Sequence, residues 1–153
     1  MSLFSILKYL HILSAIIAVG ANATYGIWIA RASRSKDTLS FALRTVKIVD
    51  DRMANPAYGF LLITGIGMVL TVPYPITTPW ILSALVLYAI VFVLGLLAFT
   101  PTLRKQIAIA ESDGPDSAAY QAIAQRSRIL GIAVSLVVLV IVFLMVVKPP
   151  LWG

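Results

Sequence analysis

Four stretches of this chain, Leu10 to Ala30, Met53 to Val72, Ile76 to Thr100 and Ile129 to Val147, contain no Lys, Arg, Asp or Glu. Each is close to the roughly 20 apolar residues that one helix needs to cross the hydrocarbon of a bilayer. No soluble core absorbs that much apolar surface: of 153 residues 60% are hydrophobic and 12% charged, with a mean hydropathy of +0.97. The chain therefore reads as an all-α, four-transmembrane-helix bundle, a single integral membrane domain over 1–153. The spans are expected at about 5–30, 53–72, 78–100 and 129–147.

The amino-terminal run needs separate attention, because Leu10 to Ala18 has the length of a signal-peptide core and Ala21-Asn22-Ala23 the small-x-small form of a cleavage site. The apolar run continues through Trp28 to Ala30, long enough to span, so the first helix is expected to remain as an uncleaved anchor. Zero cysteines exclude disulfides, thiolate metal sites and cysteine nucleophiles. The isoelectric point near 9.9 is not a nucleic-acid signature here, since the basic residues flank the spans.

Those basic residues set an expected orientation. Six follow span one (Arg31, Arg34, Lys36, Arg44, Lys47, Arg52), four lie between spans three and four (Arg104, Lys105, Arg126, Arg128), and two, Lys8 and Lys148, lie on the other side. The bias places both loops in the cytoplasm of a bacterial inner membrane and both termini outside. Trp80, Trp152 and Tyr74 then mark the outer boundary and Trp28 the inner one.

The loops carry helical patterns of their own. Asp37-Thr38 is a candidate cap for an interfacial helix at about 38–50, with Leu39, Leu43, Val46 and Val49 on one face and Arg44, Lys47 and Asp51 opposite. Asn55-Pro56 starts or bends span two. Between spans three and four, the turn Ser112-Asp-Gly-Pro-Asp116 precedes the helix-forming Ser117 to Arg126, so helices three and four should extend past the bilayer as a cytoplasmic hairpin. Thr78-Pro79 caps and opens span three.

Chemistry is expected on span one. At about 100° per residue, Lys8, His11, Ser14, Asn22 and Tyr25 share roughly one third of the helix circumference with Ala15, Ala18 and Gly26. His11 is the only histidine, and an ionisable group inside a span is by default a functional hypothesis. It could ligate haem iron or move a proton, with Met68, at a comparable depth on span two, as a candidate second axial ligand. The structural alternative makes His11 and Asn22 interhelical hydrogen-bond partners and Lys8 a snorkelling surface residue. Gly59, Gly65, Gly67 and Gly95 read as close-packing positions. No span contains a carboxylate, which disfavours paired-acid catalysis. Asp50-Asp51 beside Arg52 reads as a solvated ion-pair cluster, and Arg126 and Arg128 as lipid-headgroup contacts.

The segments Leu7-Lys-Tyr-Leu-His11-Ile-Leu-Ser-Ala, Leu43-Arg-Thr-Val-Lys-Ile-Val-Asp50, Thr64-Gly65, Thr78-Pro-Trp80 and Met145-Val-Val-Lys-Pro149 resemble the bacterial membrane family known as domain of unknown function 2269. The similarity runs over essentially the whole chain. More distantly, the histidine followed by small residues on a first helix resembles the four-helix membrane protoporphyrinogen IX oxidases and the copper-resistance D-type proteins. That resemblance implies a b-type haem held at His11, with Lys8 placed to pair with a propionate. Spans two to four lack the further basic residues associated with the oxidases, so an oxidase assignment does not follow. One histidine per chain leaves five-coordinate or histidine–methionine ligation, or a homodimer in which two copies each contribute His11.

Two roles follow as expectations. One is a haem-b-binding protein with a redox or haem-handling function, using His11, Met68 and Lys8. The other is a non-catalytic accessory or transport subunit that oligomerises through its small-residue faces. A conduit for a solute or proton along Ser14, Asn22 and Tyr25 is a third and thinner reading.

Overall fold

In a computed structural model, which describes residues 2–33, 35–72 and 75–152, every regular element among the described residues is helical. The expectation for Tyr74 lies outside those residues, as do any for the backbone of Arg34 and the side chain of Lys36. Four continuous helical stretches are long and apolar enough to cross a membrane: Leu3–Ala32, Asp37–Thr71, Pro79–Ser112 and Ala118–Val147. Their apolar side chains point outward, as lipid solvation requires: Leu70 is 81% exposed and Leu97 75%.

The six α-helices are α1 (Leu3–Ala32), α2 (Lys36–Val49), α3 (Asn55–Thr71), α4 (Pro79–Leu94), α5 (Thr100–Ser112) and α6 (Ala118–Val147). Two π-helical turns, Asp50–Ala54 and Gly95–Phe99, fuse α2 to α3 and α4 to α5. The two junctions share a cause. Each turn runs directly into a residue followed by proline, Asn55-Pro56 and Thr100-Pro101. A proline ring collides with the carbonyl four residues back and leaves it without a donor. The wider turn relieves this by bonding the preceding amide five residues back, Asn55 to the Asp50 carbonyl and Thr100 to the Gly95 carbonyl. So Pro56 sits in the first turn of α3, as expected, within one continuous helical stretch.

The helix caps follow familiar chemistry with two changes from expectation. Ser35, not Asp37-Thr38, caps α2 by accepting from the Thr38 amide at 3.3 Å. Pro79 opens α4 as expected, but the Thr78 hydroxyl donates backwards to the Pro75 carbonyl at 2.6 Å while its own carbonyl receives the first helical amides.

The bundle is built from two pairs: α1 packs along α3, and α4 along α6. Although consecutive, α3 and α4 make no backbone approach among the described residues, and α1 meets α6 only lightly. The pairs are held together at the end carrying the α1–α2 and α5–α6 connections, called the loop end below. There α2 lies against α5 and α1, and Leu39, Leu43 and Leu103 are fully buried with Val46, Ala110, Tyr120 and Ile123 around them. The apolar face of α2 was thus read correctly. It packs on protein as well as fusing to α3. With both Arg44 Nε and Glu111 Oε1 exposed, their 2.6 Å ion pair ties the outsides of α2 and α5 together. Both termini lie at the opposite end, where the Lys148 ammonium sits 5.1 Å over the Trp80 ring and joins α6 to the start of α4.

Candidate functional site

The polar face of α1 is directed at α3, as its amphipathic pattern suggested, and it meets two distinct sets of groups. Near the terminal end, His11 Nδ1 lies 3.0 Å from the hydroxyl of Thr64. Thr64 is itself buried and donates to the Phe60 carbonyl one turn earlier at 2.6 Å. With that proton directed at Phe60, the Thr64 oxygen suits the tautomer in which His11 Nδ1–H donates to it and Nε2 carries the lone pair. Gly65 completes the seat: a Cβ there would stand 3.1 Å from His11 Cε1, and one on Gly67 would stand 3.2 Å from Leu7 Cδ1. These two glycines are close-packing positions as expected. Gly59 and Gly95 are not, since nothing lies within 4 Å of a Cβ at either.

An imidazole oriented this way can accept a proton or bind a metal through one nitrogen. Lys8, one turn before His11, is exposed and Met68, one turn beyond Thr64, is half-buried, and neither side chain makes a hydrogen bond or ion pair among the described residues. The described residues also bring together no cluster of three or more His, Cys, Asp or Glu. Ser14 is half-buried on the same face.

The second set lies deeper toward the loop end, where the gap between the helix pairs forms a cavity of about 740 Å³. Its walls come from α1, both π-helical turns, α3, α4, α5 and α6. On one side Asn22 Nδ2 donates to the Tyr58 hydroxyl at 2.5 Å, and the Tyr88 hydroxyl donates across the gap to the Tyr58 carbonyl at 2.7 Å. Asn55 Nδ2 donates to Asp50 Oδ2 at 3.3 Å. Farther along, Gln106 Nε2 donates to the Tyr120 hydroxyl at 3.2 Å. The remaining wall is largely apolar, including Val91, Phe92 and Val134.

Two polar atoms on this wall are buried without a hydrogen-bond partner: Tyr25 Oη, on a residue 6% exposed, and Gln106 Oε1, on a residue 1% exposed. An unpaired buried polar atom costs about 1–3 kcal/mol, and orphans beside open space point to a group or water that completes them. Neither His11, Lys8 nor Met68 lines this cavity. This cavity and His11 are therefore separate places in the bundle.

Asp50 requires a correction. It is 5% exposed and lines the cavity, so it is not part of a solvated cluster. Lys47 pairs instead with the exposed Asp51 one turn on, and Arg52 takes no part in that pair. Consecutive side chains on a helix point about 100° apart, so Asp50 faces inward while Asp51 faces out. Arg128, read as a headgroup contact, also lines the cavity. Polar content is not confined to helix one either: Tyr58, Thr64, Tyr88 and Ser127 supply the facing walls. The hydroxyls of Tyr58, Thr64 and Tyr88 stand within the apolar runs, where a helical wheel for each span places them, whereas Ser127 precedes the last run.

The family described as predicted integral membrane protein (DUF2269) matches residues 5–149. The chain belongs to this family. The match spans all four apolar helices, so this DUF2269 member is an integral, multi-pass membrane protein whose family description carries no activity. No curated protein and no solved structure matches the chain, so the distant likeness to the oxidase and copper-resistance families has no counterpart among them.

Proposed function

We propose that this family member is a non-catalytic, solute-handling membrane protein, the transport-type of the two expected roles, and that its working site is the cavity between the helix pairs. The observation that carries this reading is the coincidence of roughly drug-sized space with orphaned polar atoms on Tyr25 and Gln106. Ligand sites are typically mostly apolar concavities in which a few convergent polar groups fix orientation. The charge count of six plus four against two supports a loop end in the cytoplasm of a bacterial inner membrane, so that the cavity opens toward that side.

The absence of native cysteine makes a direct test available. Ser127 is buried on the cavity wall, whereas Leu139 is exposed on α6 outside it. In reconstituted protein, Ser127→Cys should react with small charged methanethiosulfonate reagents and Leu139→Cys, facing lipid, should not. Equal inertness of both would end the proposal.

A second reading keeps His11 as a haem or metal ligand, and the Thr64 bond that frees Nε2 favours it, since ligating histidines are commonly oriented through their other nitrogen. The donors in one chain fit a single axial ligand, and two copies could supply a pair across a homodimer in lipid. Protein from haem-supplemented expression would then show a Soret band that His11→Ala removes. Colourless protein would rule this reading out.

A further inference from the structure

The chemistry of the cavity wall narrows the class of ligand. Among the described residues the ion pairs are Arg44–Glu111 and Lys47–Asp51; Asp50 forms none, and the Lys47 ammonium, held by Asp51, acts on it only from a distance. A carboxylate this deeply buried is costly unless its charge is met. Asn55 presents an N–H to the carboxylate, and the Tyr25 hydroxyl lies beside it. Of the charged residues on the cavity wall, Asp50 and Asp116 are acidic and Arg128 is the single base, and no ion pair links that base to Asp50. The aromatic rings of Tyr25, Tyr58 and Tyr88 add faces that attract cations.

We infer that the cavity binds an organic cation with an apolar body, an amine or quaternary ammonium compound, with Asp50 as its counter-ion. Gln106, 1% exposed with an unpaired side-chain oxygen on the same wall, is the independent sign that a ligand group belongs there. The inference rests on reading the cavity as a ligand site. It adds the sign of the charge and the residue that reads it. Gln106 Oε1, an orphaned acceptor, suits a second N–H donor on a longer ligand.

The test uses Ser127→Cys in the otherwise native full-length chain. Modification is followed with a trimethylammonium and a sulfonate thiol reagent, each rate divided by that with a free thiol in solution. Protection is then measured with three probes of matched two-methylene spacer: 2-phenylethylammonium, 2-phenylethanol and 3-phenylpropanoate. The ammonium probe should slow labelling at concentrations about tenfold below those needed by the alcohol, as a charge-assisted contact predicts. The carboxylate probe should not protect, and the cationic reagent should be favoured. Asp50→Asn should erase both preferences and Asp50→Glu should retain them in part.

If Ser127→Cys is inert to every reagent, the cavity reading and this inference fall together. If it labels but the three probes protect alike, or the carboxylate protects best, Asp50 is neutralised by a proton, the cation inference is overturned and the cavity reading stands. The comparison of probes needs no change at Asp50, so it decides the matter even if Asp50→Asn fails to fold.

Discussion

The Tyr88 hydroxyl on α4 donates to the main-chain carbonyl of Tyr58 on α3 at 2.7 Å, across a gap where the two helices themselves do not pack. It ties the α1/α3 pair to the α4/α6 pair beside the cavity. A single interhelical hydrogen bond in a membrane is worth about 0.6 kcal/mol on average, so Tyr88→Phe should cost only about that much. Its larger effect should be on access: Ser127→Cys should label faster in the Tyr88→Phe background. Unchanged labelling would show that the bond does not restrain the gap.

The glycines separate packing from propensity. Gly65→Ala places a methyl group 3.1 Å from the His11 ring, seated between Thr64 and the helix. Overpacking of this kind costs about 1–3 kcal/mol. Gly59→Ala meets nothing within 4 Å and should be neutral or stabilise by up to about 1 kcal/mol through helix propensity. Thermal unfolding in one detergent compares the two. Equal effects would mean that the His11 seat is looser than it is drawn here.

The stability core should reside at the loop end. Leu103 is fully buried against α2, whereas Leu97, one and a half turns earlier, faces lipid. Leu103→Ala should cost about 2–5 kcal/mol, and Leu97→Ala should change little because lipid replaces the lost contact. The exposed Arg44–Glu111 pair should show only a weak double-mutant coupling that fades with salt. A coupling as large as the Leu103 effect would contradict this distribution.

The proposed orientation is open to a separate measurement. Cysteines placed at Ile76, in the α3–α4 connection, and at Asp113, in the α5–α6 turn, lie at opposite ends of the bundle and both positions are exposed. An impermeant thiol reagent applied to intact spheroplasts should modify Ile76→Cys at once and Asp113→Cys only after permeabilisation. The reverse pattern would invert the topology and with it the side to which the cavity opens.

Much of this protein was legible in one dimension. Whether a run of about 20 residues lacks charge is a local property that the bilayer reads directly, so the four spans needed no tertiary information. The same holds for the apolar face of α2 and the polar face of α1, since each depends only on helical spacing. What those faces meet is not local. Thr64 lies 53 residues from the His11 it orients, and no spacing rule links them. Asp50 is buried because its turn faces the bundle, and the cavity arises from two helix pairs held together mainly at one end. Sequence alone determined that the chain lives in lipid and which helix faces are polar. Tertiary structure alone decided that an acid at the edge of a span is enclosed beside open space, because enclosure belongs to helices distant in the chain that happen to surround one volume.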